Sequence, residues 1–187
     1  MIEPREFTQW RIAMSLDTQT YTLESLANDI RAALIADPGP GGKQKVCKYV
    51  SRALLDKAFI AEHLKDRAPG EHPREVLYED DELGFCICGH VYAGEAIGQP
   101  HDHGSSWAIY GQAVGQTEMT DWKIVERGDG DKPHLVEPVK TYEMKPGDAH
   151  FYDVGDVHSP NRVKPVKLIR IEGANLDHVQ RSNIAAK

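Results

Sequence analysis

The sequence predicts a mainly β protein, an all-β sandwich or barrel preceded by a helical stretch. After residue 73, apolar or alternating runs of about four to eight residues are separated by Gly, Pro and Asp, as in antiparallel sheets. Before residue 67, apolar residues recur with the period of an α-helix. A chain of 187 residues is long enough for one core and short for two. We therefore predict one structural domain, with a helical stretch over residues 1–72 packed on a barrel over residues 73–187.

The helical stretch is divided by a Pro- and Gly-rich segment, residues 37–42. Apolar residues 23–34 keep helical spacing, and Thr22 is in position to cap that helix. A second periodic run covers residues 46–64 and ends before Pro69 and Gly70. We interpret these helices as support for the barrel.

Composition narrows the class of partner. The net charge is −7 and the pI is about 5.7, which argues against a nucleic-acid-binding face rich in Lys and Arg. No run approaches the ~20 apolar residues that cross a bilayer, and the N-terminus lacks the pattern of a secretory signal. The three cysteines have neither disulfide nor zinc-site spacing, so we expect reduced thiols. We predict a cytoplasmic protein with a small-molecule partner, and neither nucleic acid nor membrane.

The most informative segment is residues 99–104, in which His101 and His103 are two positions apart. In a strand, residues i and i+2 point to the same face, so both imidazoles can bind one ion. Neutral imidazole suits Fe, Zn, Cu, Ni and Mn, so the pair indicates a metal without naming it. Downstream, His158 follows a second turn at Gly155.

These motifs resemble those of the cupin superfamily, which has two histidines and a glutamate in its first motif and one histidine in its second. Gly115 stands where the first motif ends, and Gly147, Gly155 and His158 keep the spacing of the second. The usual proline of the second motif is replaced by Asp153, and its asparagine lies one place early. The resemblance implies a double-stranded β-helix, or jelly-roll barrel, with three metal ligands: His101, His103 and His158.

The glutamate of the first motif is replaced by Ala108. Thiol dioxygenases of the cysteine dioxygenase type also lack it and bind ferrous iron with three histidines, and residues 74–177 resemble them. The resemblance implies Fe(2+) as cofactor, with Mn, Ni or Zn as alternatives, and a small substrate oxidised by O2. Arg74 falls near the position of the arginine that binds the substrate carboxylate in that family, and Trp107 lies in the strand after the histidine pair.

The chain departs from these dioxygenases where many of them carry a Ser-His-Tyr relay. The matching positions hold Leu168, Arg170 and Glu172, which puts thiol oxidation itself in question. Strand alternation directs Arg170 and Glu172 to the metal side, together with Tyr110 and Gln112. Arg170 is expected either to pair with Glu172 or to bind a substrate carboxylate. We predict a catalytic group of Tyr110, Arg170 and Glu172, and a substrate-binding group of Arg74, Trp107 and Gln112.

Other metal-binding residues stay open as alternatives. His150 precedes the Gly155 turn and competes with His158, which we favour as the ligand. The residues Cys86, Cys88 and His90 share one strand face and form either a rival cluster or, as we expect, buried packing. Glu118 is a carboxylate near the first motif, but its spacing does not fit.

Three functions follow from these observations. The first is an iron dioxygenase acting on a small thiol or another small chelating acid. The second is a cupin isomerase, hydrolase or ring-cleaving enzyme that uses Mn, Ni or Zn, which the Arg170 and Glu172 positions favour. The third is a non-catalytic ligand-binding cupin. By analogy with the superfamily we expect a homodimer formed through sheet edges.

Overall fold

Residues 21–68 and 70–187 are described by a computed structural model of the chain. Their N-terminal part forms three helices, α1 over Leu23–Ala36, α2 over Pro40–Leu55 and α3 over Lys57–His63. The first 20 residues of the predicted helical stretch lie outside the described part, and the division of the chain at residue 73 stays a prediction. None of the described helices is both long and apolar enough to cross a membrane.

The helix boundaries follow from capping groups. As predicted, Thr22 caps α1, because its hydroxyl accepts a hydrogen bond from the backbone N–H of Ser25 at 3.1 Å. The predicted second helix is wrong at both of its ends. It begins earlier, at Pro40, because proline is tolerated in the first turn. It also stops at Asp56, whose carboxylate accepts from the backbone N–H of Ala58 at 2.8 Å and so caps the separate helix α3.

Residues 70–187 are mainly strands, joined by tight turns and one 3₁₀ turn at Leu176–His178. The strands are β1 Arg74–Glu79, β2 Cys86–Tyr92, β3 Ala96–Ile97, β4 Ala108–Val114, β5 Thr117–Glu126, β6 His134–Met144, β7 Ala149–Tyr152, β8 Val157–Arg162, β9 Val166–Glu172 and β10 Ile184–Ala186.

The described strands form two five-stranded sheets, in the orders β1-β2-β9-β4-β7 and β10-β6-β5-β8-β3. Neighbours are antiparallel except β10, which runs parallel to β6. The predicted mainly β jelly roll with an N-terminal helical stretch is therefore confirmed. The chain after residue 176, which shows no strand pattern in sequence, nevertheless supplies β10 at a sheet edge.

The first sheet has two faces of opposite chemistry. On β9, Ile169 and Ile171 point to the helices, while Arg170 and Glu172 point between the two sheets, a region we call the barrel interior. The helix-facing residues form an apolar cluster, the outer core. Its largest members include Leu26, Ile30, Phe59, Phe85, Ile87, Ile109, Ile169 and Ile171.

A glycine on β4 sets the distance between helix and sheet. A Cβ atom at Gly111 would lie 2.4 Å from Cγ1 of Val50 and 2.8 Å from Cδ1 of Leu54, so α2 packs directly on the glycine backbone. Gly111 lies within a strand and not in a turn, so the close approach of α2 is the physical reason for a glycine at this position. Gly115, by contrast, does form a turn, with φ at +74°.

Candidate metal centre

The loop carrying His101 and His103 lies between β3 and β4, opposite the start of β8. His101 forms an isolated antiparallel bridge with His158, and each backbone N–H donates to the carbonyl of the other at 3.0 Å. His103 is already in a turn, where its carbonyl accepts from the N–H of Ser106 at 3.0 Å. The prediction that both histidines lie on one strand is therefore wrong, because Gly104, at φ +58°, turns the chain after His103.

The three imidazoles nevertheless converge. The ligand atoms of His101, His103 and His158 all lie within 4.8 Å of one another. Ring centroids are 4.7 Å apart for His101 and His158, and 4.8 Å apart for His103 and His158. Among the described residues this is the one group of three or more His, Cys, Asp or Glu side chains arranged to bind a metal ion.

Burial keeps these histidines neutral. It lowers the pKa of His101 to about 4 and that of His103 to about 2. The pKa of His158 lies well below its usual value for the same reason, reinforced by the two neighbouring histidines. Each ring therefore keeps a lone pair near pH 7, which is the form that binds metal.

The hydrogen bonds of the rings fit a bound cation. Nδ1 of His101 donates to the carbonyl of Gln99 at 2.8 Å, which leaves Nε2 as an acceptor. Nδ1 of His103 and both ring nitrogens of His158 are buried without a hydrogen-bond partner among the described residues. Buried polar atoms normally have partners, so Nδ1 of His103 and one nitrogen of His158 suit metal ligation. The residues present therefore fit a metal held by three histidines.

Aromatic side chains fix the orientation of His158. The ring of Tyr152 stacks on it with centroids 3.9 Å apart. The Tyr152 hydroxyl lies 2.5 Å from that of Tyr142, which donates to Asp121 at 3.1 Å. His150 packs against Tyr152, with centroids 4.6 Å apart, and is not part of the three-histidine group. The structure thus places His158, the ligand that we favoured, in the group and His150 beside it.

The C-terminal segment holds the histidine loop. Asp102 accepts from the hydroxyl of Ser182 at 2.6 Å and from the N–H groups of Ser182 and Gly104, both at 3.1 Å. Burial opposes the charge of Asp102, but these hydrogen bonds outweigh it and lower its pKa. This anchor could not be predicted from sequence, because the two partners are 80 residues apart.

Arg170 and Glu172 lie inside the barrel, as strand alternation predicts. Oε1 of Glu172 accepts from Nε of Arg170 at 2.7 Å, and Nη2 of Arg170 forms a further ion pair with it. Burial disfavours both charges, but each group stabilises the other, so the pKa of Arg170 is raised and that of Glu172 is lowered. Of the two sequence-based alternatives for Arg170, the structure has the ion pair.

Tyr110 connects this pair to the histidines. Its hydroxyl lies 3.3 Å from Nε2 of His103 and accepts from Nη1 of Arg170 at 3.3 Å. Arg170 on β9 is therefore connected to His103 through the hydroxyl of Tyr110.

Arg74 is hydrogen-bonded to three protein side chains. Its guanidinium donates to Glu172 at 2.8 Å, to Asp177 at 2.6 Å and to Asn175 at 2.9 Å. These partners engage its donors within the protein, and the substrate-binding role of Arg74 stays a prediction. It donates to both carboxylate oxygens of Glu172, one of which also accepts from Arg170.

The substrate-binding roles of Trp107 and Gln112 also stay predictions, and the structure shows where each side chain lies. Trp107 precedes the inward Ala108 and so faces the helix side, where its ring packs near Phe151 with centroids 6.5 Å apart. The Gln112 side chain points into the barrel but is used by the protein, since it accepts from the Thr117 hydroxyl at 2.9 Å and donates to a backbone carbonyl.

The alternative ligands are used in other ways. Cys86 and Cys88 are buried, and burial raises their pKa values to about 11 and about 12, so they are protonated packing residues near pH 7. His90, on the same face, is also buried. Glu118 is exposed and accepts from Asn161 at 3.2 Å. Among the described residues, none of these four side chains belongs to a group that could bind a metal ion.

A cavity of about 320 Å³ opens beside the histidines. Its wall includes His101, Tyr110 and Arg170, together with Arg162 and Arg181, which the sequence analysis missed. A signal for Arg162 was present, because it lies four positions after His158 on one strand and alternation places both on the same face. Arg181 had no such signal, since the fold of the C-terminal segment alone brings it to the cavity.

Comparisons with known proteins found similar solved structures but no family. No protein-family model matches the sequence, and no curated protein matches it. Similar solved structures include a cupin superfamily protein from Desulfitobacterium hafniense DCB-2, with 12% identity over 57% of this chain and 81% of that chain and a TM-score of 0.42. A conserved protein with a double-stranded β-helix domain from Klebsiella pneumoniae has 15% identity over 67% of this chain and 88% of that chain, with a TM-score of 0.45.

A third neighbour is a hydroquinone 1,2-dioxygenase in complex with Cd2+ and 4-hydroxybenzonitrile. It has 12% identity over 74% of this chain and 80% of that chain, with a TM-score of 0.44. The structural neighbours thus include cupin superfamily proteins. At these identities the likeness assigns no activity to this chain.

Proposed function

We propose that the chain is a mononuclear non-haem iron dioxygenase that oxidises a small thiol or another small chelating acid with O2. The observation that carries this proposal is the group of His101, His103 and His158, neutral and within 4.8 Å of one another, beside an open cavity. His101, His103 and His158 would hold a ferrous ion, which would supply coordination of substrate and O2.

The residues around the histidines would orient the reactants. The Tyr110 hydroxyl lines the cavity and is held by Arg170 at 3.3 Å, so it can donate a hydrogen bond to substrate or oxygen. The burial of His103 and His158 indicates that the barrel excludes water behind the ligands.

The occupied donors of Arg74 favour a substrate other than cysteine. In the enzymes that the sequence resembles, an arginine near this position binds the carboxylate of cysteine. Here Arg74 is bound to Glu172, Asp177 and Asn175. Among the two substrate types, we therefore favour a small chelating acid over cysteine.

A second candidate is a cupin isomerase, hydrolase or ring-cleaving enzyme with Mn, Ni or Zn. The observation in its favour is the buried ion pair of Arg170 and Glu172 at the positions of the missing relay. We keep a homodimer and a small-molecule partner as predictions for either candidate.

The first experiment measures metal content and oxygen uptake together. Protein reconstituted anaerobically with ferrous iron would be given cysteine, 3-mercaptopropionate, cysteamine and thiol-free acids. Uptake with an acid or a thiol supports the dioxygenase. Stoichiometric iron without uptake on any of them favours the second candidate or a non-catalytic ligand-binding role.

The ligand set has its own test in His158→Ala, with His150→Ala as the matched control. Both histidines pack against Tyr152, but only His158 belongs to the three-histidine group. We expect His158→Ala to lose iron and His150→Ala to keep it, measured by metal analysis of purified protein. The opposite result would show that the second motif is assigned to the wrong histidine.

A further inference from the structure

Arg162, at the end of β8, is a buried cation without a counter-charge. Its exposed fraction is 4%, and its Nε has no hydrogen-bond partner among the described residues. The charged and titratable groups that influence it are Tyr92, Tyr110 and Arg170, and none of these is a carboxylate. Since an unpaired buried charge is costly, proteins rarely keep one without a use.

The guanidinium of Arg162 is held in place by an aromatic ring. Its central carbon lies 4.5 Å from the centroid of the Tyr92 ring. Burial and the nearby charge of Arg170 lower the pKa of Arg162, and no described acid offsets these effects. The side chain is therefore positioned but electrostatically unsatisfied.

The cavity beside the histidines is the place where this charge can be satisfied. Arg162, Arg170 and Arg181 all line it, and none of its described lining residues is acidic. Arg170 is neutralised by Glu172, whereas Arg162 is not. His101 lies in the same wall, so one small molecule can contact both the arginine and the metal centre.

We propose that Arg162, assisted by Arg181, binds the carboxylate of a small acid whose other end reaches the His101 side of the cavity. The proposal rests on the proposed function and names its substrate class. A guanidinium pairs with a carboxylate through two parallel hydrogen bonds, and a volume of about 320 Å³ suits a ligand of few atoms. Arg162 would thus be the specificity residue in place of Arg74.

The first test measures binding by calorimetry, under anaerobic conditions, to the iron-loaded protein. The probes are malonate, its uncharged analogue malonamide, and inorganic phosphate. We expect malonate to bind best and Arg162→Gln to weaken it by about tenfold to a hundredfold, as for a lost charge-assisted pair. The exposed Arg127 provides the matched control, and Arg127→Gln should leave malonate binding unchanged. Equal affinity for malonamide, stronger binding of phosphate, or no effect of Arg162→Gln would each overturn the proposal.

The second test separates ligand binding from a structural role. Because Arg162 is buried without a partner, Arg162→Met should raise the melting temperature of the unliganded protein. The same variant should lose the further rise that malonate gives the unsubstituted protein. A structural arginine would behave in the opposite way, with a lower melting temperature in the variant.

Iron content and oxygen uptake of the same variants distinguish this proposal from the dioxygenase proposal. Malonate binding that depends on Arg162, without oxygen uptake on any acid, supports the acid site and counts against the dioxygenase. Oxygen uptake that keeps its KM in Arg162→Gln supports the dioxygenase and overturns the acid site.

Discussion

The two faces of β9 are buried to the same degree but are stabilised differently. Ile171 and Glu172 are adjacent, and each has an exposed fraction of 0%. Ile171 contributes to the outer core by apolar contact with many neighbours. Glu172 is stabilised by the charges of Arg74 and Arg170, which together with the backbone N–H of Leu176 supply its hydrogen bonds.

The outer core and the barrel interior therefore respond differently to substitution. Removing one apolar contact leaves a small cavity, whereas removing one ionic partner leaves a buried charge. The outer core can therefore tolerate changes of shape, while the barrel interior demands particular pairs. The side chains able to do chemistry, His103, Tyr110 and Arg170, contact one another on the side of the barrel interior.

The largest effect is expected from Glu172→Gln. It leaves Arg74 and Arg170 buried without their shared carboxylate, which costs about 3–5 kcal/mol of unfolding free energy. Urea unfolding of purified protein measures it, and the exposed Glu126→Gln serves as the control, with a change within about 0.5 kcal/mol.

A double variant sharpens this prediction. The double variant carries both Arg170→Met and Glu172→Leu, so apolar side chains replace both members of the ion pair. Less buried charge is then left unpaired than in Glu172→Gln. We expect the double variant to unfold at higher urea concentration than the single one. If the unfolding free energies lost in the single variants Arg170→Met and Glu172→Leu simply added up in the double variant, the barrel interior would behave like the outer core. The comparison of the two faces would then be wrong.

On the opposite face, Ile171→Ala should cost about 2–5 kcal/mol, because the cavity that it leaves in the outer core cannot fully collapse. Iron content per folded molecule should stay at the level of the unsubstituted protein, since the change is on the helix side. Val163→Ala, at a position 67% exposed, controls for the loss of apolar surface. Loss of iron from folded Ile171→Ala protein would show that the two faces are coupled.

The same two faces show which parts of this structure the sequence could predict. Periodicity revealed the helices, the strands and both faces of β9, because alternation is a local property. Motif spacing revealed the three histidines. Local patterns could not reveal how side chains distant in sequence pair, as Arg74 does with Glu172, 98 residues away. For that reason the partners of Arg74 were not predicted, whereas Arg162, which strand alternation places on the same face as His158, was overlooked.

Acid should lower the stability of the metal-free protein through His101. The pKa of His101 is about 4 in the folded chain and about 6.5 when unfolded, so below pH 6.5 the unfolded state takes up a proton that the folded state does not. The metal-free protein should therefore lose stability as the pH falls from 6.5 to about 4, by roughly 3 kcal/mol for this residue. Urea unfolding at several pH values measures the loss. In His101→Gln the loss should be smaller, and an equal loss would show that His101 is not the group responsible.

The smallest effect is expected from Tyr152→Phe. The variant loses the hydroxyl contact with Tyr142, worth about 0.5–1.5 kcal/mol, but keeps the ring that stacks on His158 at 3.9 Å. Iron affinity should therefore change little in Tyr152→Phe and fall clearly in Tyr152→Leu, which removes the aromatic ring as well. Competition with a chelator measures both affinities. If Tyr152→Phe lost iron as readily as Tyr152→Leu, the hydroxyl chain to Asp121 rather than the stacked ring would position His158, and the barrel interior would depend on its polar pairs even for the orientation of a metal ligand.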